Sequence, residues 1–299
     1  MPSWQGKSRG NRLGYSIFVA VLRRLGLRPA YFLLRFVSFY YFLFAGRSSG
    51  YILELYRRRL GFGYWKSLLL LYRNYYAFGQ SLIDKVAVMS GMADRFSFDF
   101  DGEQHLHRMV SMGKGGLLLS SHLGNWEAAG HLLERLHTRI NVVMFDGEHQ
   151  KIKDYLQNVT GERTTNIIVI KDDFSHIYAI NEALKNNEIV CMHADRFLEG
   201  NRVIEIPFLG KNACFPAGPF ILAAQFKTPV CFVFAMKEGA THYHFYSSGI
   251  RFYDLSDKNE AIRKMLPEFA AGMEEKVRAY PEQWYNYYDF WAQAPSDRK

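Results

Sequence analysis

Residues 115–130 read GGLLLSSHLGNWEAAG, and this stretch decides the fold. A short apolar run, Leu117 to Leu119, sits between paired glycines and a polar turn, which is the pattern of a fully buried strand. His122, Leu123 and Gly124 make the turn, Asn125 is a reasonable N-cap, and Trp126, Ala129, Leu132, Leu133 and Leu136 recur at helical spacing. Strand, turn and helix in that order form one arm of a parallel α/β unit. In open sheets of this kind the reactive groups lie beyond the carboxyl ends of the strands. His122 is placed there, and Glu127 follows it by five positions in the first helical turn. A carboxylate in reach of an imidazole fixes its tautomer and stabilises the imidazolium, leaving the other nitrogen to take a proton from a hydroxyl. The free N–H groups of the helix start are suited to a developing oxyanion.

Working outward, the same alternation continues. TNIIVI, NEIVCMHA, RVIEIPFL and PVCFVFAM read as strands, and residues 125–136, 148–158, 174–186 and 218–227 read as helices. The stretch THYHFYSSGIRFY predicts an alternating antiparallel strand at a sheet edge, and residues 51–92 read as helical throughout. A closing amphipathic helix buries Ile262, Leu266, Phe269, Met273 and Val277. The expected fold class is α/β, a mostly parallel sheet flanked by helices, with an N-terminal helical membrane anchor. Two units are expected, the anchor at residues 1–50 and an α/β domain at 51–299.

The anchor follows from where charge and apolarity fall together. The net charge is +8, yet residues 1–60 hold 11 Lys or Arg against a single acid, Glu54, so the rest of the chain is close to neutral. Leu13 to Gly46 is also the most apolar and aromatic stretch, broken by Arg23, Arg24, Arg28 and Arg35 and restarted at Pro29. Arginines inside the apolar region exclude a secretory signal, and two short interfacial or re-entrant segments fit as well as one span. The aromatics come in solid blocks rather than spaced stacking positions, which excludes a nucleic-acid surface. Three widely spaced cysteines, Cys191, Cys214 and Cys231, exclude a disulfide framework and suit a reducing cytoplasm.

The block SSHLGNWEAAG resembles the HxxxxE signature of the lipid A late acyltransferase family, within the wider glycerolipid acyltransferase superfamily. Supporting matches run in order: HADR at 193–196, PFLG at 207–210, FPAGP at 215–219, and YPEQWYNYYDFW at 280–291. The resemblance implies transfer of a fatty acyl chain from acyl carrier protein or acyl-coenzyme A to a hydroxyl of a lipid at the inner face of the cell inner membrane. It implies catalytic roles for His122 and Glu127, and acceptor contacts for Leu123, Gly124, Asn125, Asp195 and Arg196. Neither a metal nor a cofactor is expected, and no nucleic acid partner. The chain departs from the family's usual ending, since Trp284 is followed by Tyr285, Asn286, Tyr287, Tyr288 and Asp289 rather than by His and Arg. That departure opens other acceptors: an aminolipid, a mannosylated phospholipid or an aryl polyene. A thioesterase or a lipid-binding membrane protein is the alternative of another class.

Three further features are assigned elsewhere. Asp99 and Asp101 in DFD read as a surface turn, His242 and His244 as a solvated strand face, and Gly218 in FPAGP as a point of close backbone approach beside the site. The run Arg57, Arg58 and Arg59 is the expected docking surface for an acidic acyl carrier.

Overall fold

The computed structural model describes residues 12–125, 134–145, 165–171, 173–198, 200–253 and 257–292. Helices α1 (Arg12–Leu25), α2 (Leu27–Phe44) and α3 (Gly46–Glu54) open the chain, and a π-helical turn, Leu55–Arg59, follows. The break between α1 and α2 falls at Gly26, whose φ of 87° only glycine adopts readily, while Pro29 sits in the first turn of α2, where a missing N–H costs nothing. After a non-helical segment at residues 61–63 comes α4 (Tyr64–Met89). The helical reading of 51–92 is therefore interrupted, by Gly61 and Gly63.

The sheet holds seven strands among the described residues: β1 (Ser97–Asp101), β2 (Gly116–Ser120), β3 (Ile140–Phe145), β4 (Thr165–Ile170), β5 (Ile189–His193), β8 (Val230–Lys237) and β9 (His242–Ser247). Their spatial order is β1-β9-β8-β2-β5-β3-β4, and every pair is parallel except β8 with β9. A separate antiparallel hairpin joins β6 (Val203–Phe208) to β7 (Lys211–Pro216). The remaining helices are α5 (Glu103–Ser111), α6 (Ser175–Lys185), α7 (Gly218–Phe226) and α8 (Lys258–Ala279).

Strand β2 lies near the centre, paired on one side with β5 and on the other with β8, and all five of its residues are buried. Its alternation feeds both faces: Leu117 and Leu119 join the large core with α8 residues such as Leu266 and Phe269, whereas Leu118 joins Leu106, Met109 and Ile140 on the other side. A strand buried on both faces has to read as a continuous apolar run, which is how LLL was recognised. The predicted stripe of α8 is buried as expected.

Three expectations need correction. The DFD segment is an edge strand and not a turn: β1 pairs in parallel with β9, so β9 is interior to the sheet. Asp99 lies across from His244 and Asp101 from Tyr246, and the two carboxylates reach diagonally to His242 and His244, on the face opposite Phe98 and Phe100. Second, a Cβ on Gly218 would meet nothing within 4 Å, so no close approach requires glycine there. Third, among the described residues no single helix is long and apolar enough to cross a membrane; α2 with Gly46–Arg59 passes that test only as a pair bent by 86°. The helices expected at 125–136 and 148–158 lie largely or wholly outside the described residues; Glu134–Leu136 forms a 3₁₀ turn.

The N-terminal helices pack on the rest of the protein. Leu27, Ala30, Tyr31 and Leu34 of α2 share a core with Ile83, Val86 and Ala87 of α4 and with Tyr243 and Phe245 of β9. Beneath them, Asp84 is buried and accepts hydrogen bonds from the hydroxyls of Tyr31 and Tyr243 and from Lys237 Nζ. Burial pushes the Asp84 carboxyl up and the Lys237 ammonium down. Such a pair is retained because removing one partner strands the other in the interior.

Candidate active site

Parallel pairing of β2 and β5 brings Ser120 level with His193, so the residues just beyond these two strands emerge side by side. His122 leaves β2 and Asp195 leaves β5, and across 73 positions of sequence they form a two-point contact. The His122 backbone N–H donates to Asp195 Oδ2 at 2.9 Å, and His122 Nδ1 lies 2.8 Å from Asp195 Oδ1. With the carboxylate on Nδ1, that nitrogen carries the proton and Nε2 is left as an acceptor. Asp195 is only 1% exposed and the His122 side chain 20%, so the anchor is buried and the working imidazole is partly open. Burial alone would raise the Asp195 carboxyl, but the charge and hydrogen bond of His122 outweigh it, with help from Arg196, and hold it well below the usual carboxylate range.

A third ring completes the group. His193, the last residue of β5, stacks on His122 with centroids 4.2 Å apart and planes at 27°. Burial, and then the neighbouring His122, depress its basicity, so it stays neutral at neutral pH. The donor atoms of His122, His193 and Asp195 all lie within 4.8 Å of one another, as a metal site would need. Face-to-face rings send their lone pairs side by side, however, and one ring would have to turn before both met a single ion.

The turn after His122 is held from below. Gly124 has φ 75°, and a Cβ there would come within 2.0 Å of the Ala235 carbonyl oxygen, so only glycine fits. Its N–H donates to Gln283 O, the Tyr285 N–H donates to His122 O, and Asn125 N–H donates to Ala235 O. The Asn125 side chain donates to the Tyr243 hydroxyl at 3.0 Å, tying the turn to the buried Asp84 network. Trp284 bridges Leu123 and packs edge-on against Phe208, Phe290 and Trp291. The aromatic ending YPEQWYNYYDFW is thus the floor of the turn that carries His122.

The structure places each predicted residue. Leu123 and Asn125 are buried and Gly124 is pressed on β8, so all three shape the turn. The Asp195 carboxylate is engaged by His122. Arg196 donates to Tyr285 O at 2.5 Å and lies 5.9 Å from the Tyr288 ring, half-buried beside the site. Glu127 lies outside the described residues, as does most of the helix start expected to stabilise an oxyanion. His193 was passed over, although its place at the end of an apolar strand, two residues before Asp195, was the available signal.

A small pocket of about 50 Å³ opens on the α5 side of the sheet. Leu106, Leu118, Leu136, Val233 and Phe245 line it, together with Ser120, two residues before His122. Away from the site, Arg58 is exposed, whereas Arg59 is drawn in towards Glu54 and the Trp291 ring.

Phosphatidylinositol mannoside acyltransferase from Mycobacterium tuberculosis is 29% identical over 128 residues, 42% of this chain and 39% of that protein. The protein of that name from Mycolicibacterium smegmatis is 23% identical over 200 residues, 65% of this chain and 62% of the relative. This chain therefore aligns with less than two thirds of either relative's length. The crystal structure of a 1-acyl-sn-glycerophosphate acyltransferase from Thermotoga maritima superposes with a TM-score of 0.41 and 13% identity, over 83% of this chain and 96% of that one. The family model for bacterial lipid A biosynthesis acyltransferases matches residues 72–291, a span that contains His122, His193, Asp195 and the aromatic floor, and the chain belongs to that family.

Proposed function

We propose that the protein is an O-acyltransferase that moves a fatty acyl chain from a thioester, on acyl carrier protein or coenzyme A, to a hydroxyl of a glycolipid acceptor. The observation that carries this reading is the buried Asp195 carboxylate on Nδ1 of a partly open His122, at the carboxyl edge of a parallel sheet. His122 Nε2 takes the proton of the acceptor hydroxyl as its oxygen attacks the thioester carbonyl. The tetrahedral intermediate then collapses, the carbon–sulfur bond breaks, and the imidazolium returns the proton to the departing thiolate. Asp195 holds the ring and offsets the charge that His122 gains, and Glu127 remains assigned to the same task by the HxxxxE pattern. The acceptor supplies the nucleophile, so none is needed from the protein.

An acyl chain would lie over the mainly aliphatic and aromatic lining beside Ser120, whose pocket is too small to enclose it. For the acceptor, a mannosylated phospholipid is the second reading beside a lipid A precursor. The names of the relatives favour it, as does the replacement of the family's closing basic residues by Tyr285, Asn286, Tyr287 and Tyr288. Work at the cytoplasmic side of the inner membrane fits an arm that is both basic and apolar. The test is lipid mass spectrometry of cells with and without the gene, paired with thiol release from palmitoyl-coenzyme A by purified protein given each lipid fraction. Thiol release that requires one fraction, with an acylated product of matching mass, supports transfer; release of free fatty acid without any acceptor would make the protein a thioesterase.

A further inference from the structure

Beneath the turn that carries His122 lies a buried ion pair that the reaction itself does not use. Asp84 of α4 accepts from Lys237 Nζ and the Tyr243 hydroxyl on Oδ2, and from the Tyr31 hydroxyl of α2 on Oδ1. Losing one partner of such a pair is costly, yet replacing both by apolar residues of similar volume is often neutral or stabilising. Folding alone therefore does not account for the pair.

Two routes lead from the pair to the turn. The first runs through side chains. Tyr243 has one hydroxyl proton and donates it to Asp84, so towards Asn125 its oxygen can only accept. Asn125 Nδ2 meets that oxygen at 3.0 Å and the Ser81 carbonyl at 3.3 Å. An inverted amide would set its own oxygen against two acceptors, so the Asp84 carboxylate helps to dictate which way Asn125 faces. The second route runs through Gln283. Its Oε1 accepts the Lys237 backbone N–H and its Nε2 donates to the Lys237 carbonyl, both at 2.8 Å, while its own carbonyl takes the Gly124 N–H at 2.9 Å. Gly124 and Asn125 follow His122 by two and three residues, so both routes end on the backbone that aims the ring. We propose that Asp84, Lys237 and Tyr243 are positioning residues for acyl transfer, which fix this turn and thereby the direction in which His122 presents Nε2. Misplacing a reacting group by about 1 Å can cost roughly 10²-fold in rate, so a buried relay of this kind shows in kcat.

This rests on the acyl-transfer reading, so transfer from palmitoyl-coenzyme A is measured beside the nitrogen NMR spectrum of histidine-labelled whole chain, which needs no substrate. The His122 signals are those missing from His122→Ala. A first variant, Asp84→Leu with Lys237→Met, removes both charges and the acceptor. A second, Asp84→Asn with Lys237→Met, removes the same charges but leaves a carbonyl for Tyr243; its amide NH2 then faces Tyr31, whose hydroxyl already has the Ala240 carbonyl 3.3 Å away. Both should melt near the wild type. The first should lose about tenfold or more in kcat with KM for the thioester little changed, and its His122 ring signals should move or broaden. The second should keep the wild-type kcat and ring signals. Tyr243→Phe, which removes a single hydroxyl, should repeat the result of the first variant, and it carries the test if that variant does not fold. Wild-type rates and ring signals in the first variant and in Tyr243→Phe would confine the pair to folding and overturn the proposal. Equal losses in the first and second variants would overturn it too, by assigning the effect to charge rather than to the acceptor. If the wild type transfers no acyl chain, the acyl-transfer reading fails, and the ring signals still decide whether the relay sets His122.

Discussion

Two edges of the sheet carry histidines facing aspartates, and they differ in almost everything but residue type. At the end of β2 and β5, His122 meets a fully buried Asp195 at 2.8 Å and a second bond fixes the same carboxylate. Along β9 and β1, His242 meets Asp99 at 3.4 Å and His244 meets Asp101 at 3.3 Å, and those carboxylates are 69% and 68% exposed. Water competes for the exposed pairs and salt screens them, so each contributes little. The buried pair has no such competitor, so the carboxylate can command one tautomer of one ring. Histidine and aspartate thus become chemistry through burial and a second fixed bond.

Replacing His122 by Ala should produce the largest effect, a loss of about 10²–10⁴-fold in acyl transfer, the usual worth of a general base. The melting temperature should fall as well, since the buried Asp195 carboxylate loses its partner, so transfer is compared on protein that a thermal melt shows to be folded. Asp195→Asn should come next, lowering kcat at least tenfold while KM for the thioester moves little, because the amide no longer dictates which nitrogen carries the proton. The substitution should also cost stability at neutral pH. Asp195 has a folded pKa below its unfolded value of about 3.9, so its contribution is present above that value and lost as pH falls through the folded one. Urea melts at pH 7 and pH 3 separate the two effects.

Gly124→Ala sharpens the comparison by disturbing the floor and not the pair. A methyl group 2.0 Å from the Ala235 oxygen, at φ 75°, should cost roughly 1–3 kcal/mol in denaturant unfolding. His193→Phe keeps the stack and removes a titrating group. Because His193 is depressed below its ordinary value, the wild type should lose stability as pH falls below about 6.5, where the unfolded chain takes the proton first. The Phe variant should show a flatter melting profile between pH 7 and pH 5. At the other edge, His244→Ala should change stability by less than about 1 kcal/mol and leave transfer intact.

The legible parts of this molecule are those in which burial writes itself into a short window. LLL of β2 and VCM of β5 had to be apolar because both faces of the central strands are covered. His122 was legible too, since it ends such a run. Its partner was not, because 73 residues separate His122 from Asp195 and only the parallel register brings them together. The carboxylate near in sequence, Glu127, lies outside the described residues. The edge strand β1 was misread for a related reason: its burial alternates between half-buried and exposed, so SFDFD lacks the signature of a covered strand. The aromatic tail was legible only as a supporting match to the family, and its packing shows that Trp284 holds up Leu123. At the arm, composition separated basic from neutral regions, while the three-dimensional packing of α2 decided which of its faces was left open.

A double-mutant cycle between His122 and Asp195, read as the rate of acyl transfer from palmitoyl-coenzyme A to the active lipid fraction, tests the central claim most directly. If the two act as one unit, His122→Ala with Asp195→Asn should be no slower than His122→Ala alone, because the carboxylate works only through the ring. Full additivity of the two losses would contradict the account, and would mean that Asp195 serves the reaction independently of His122.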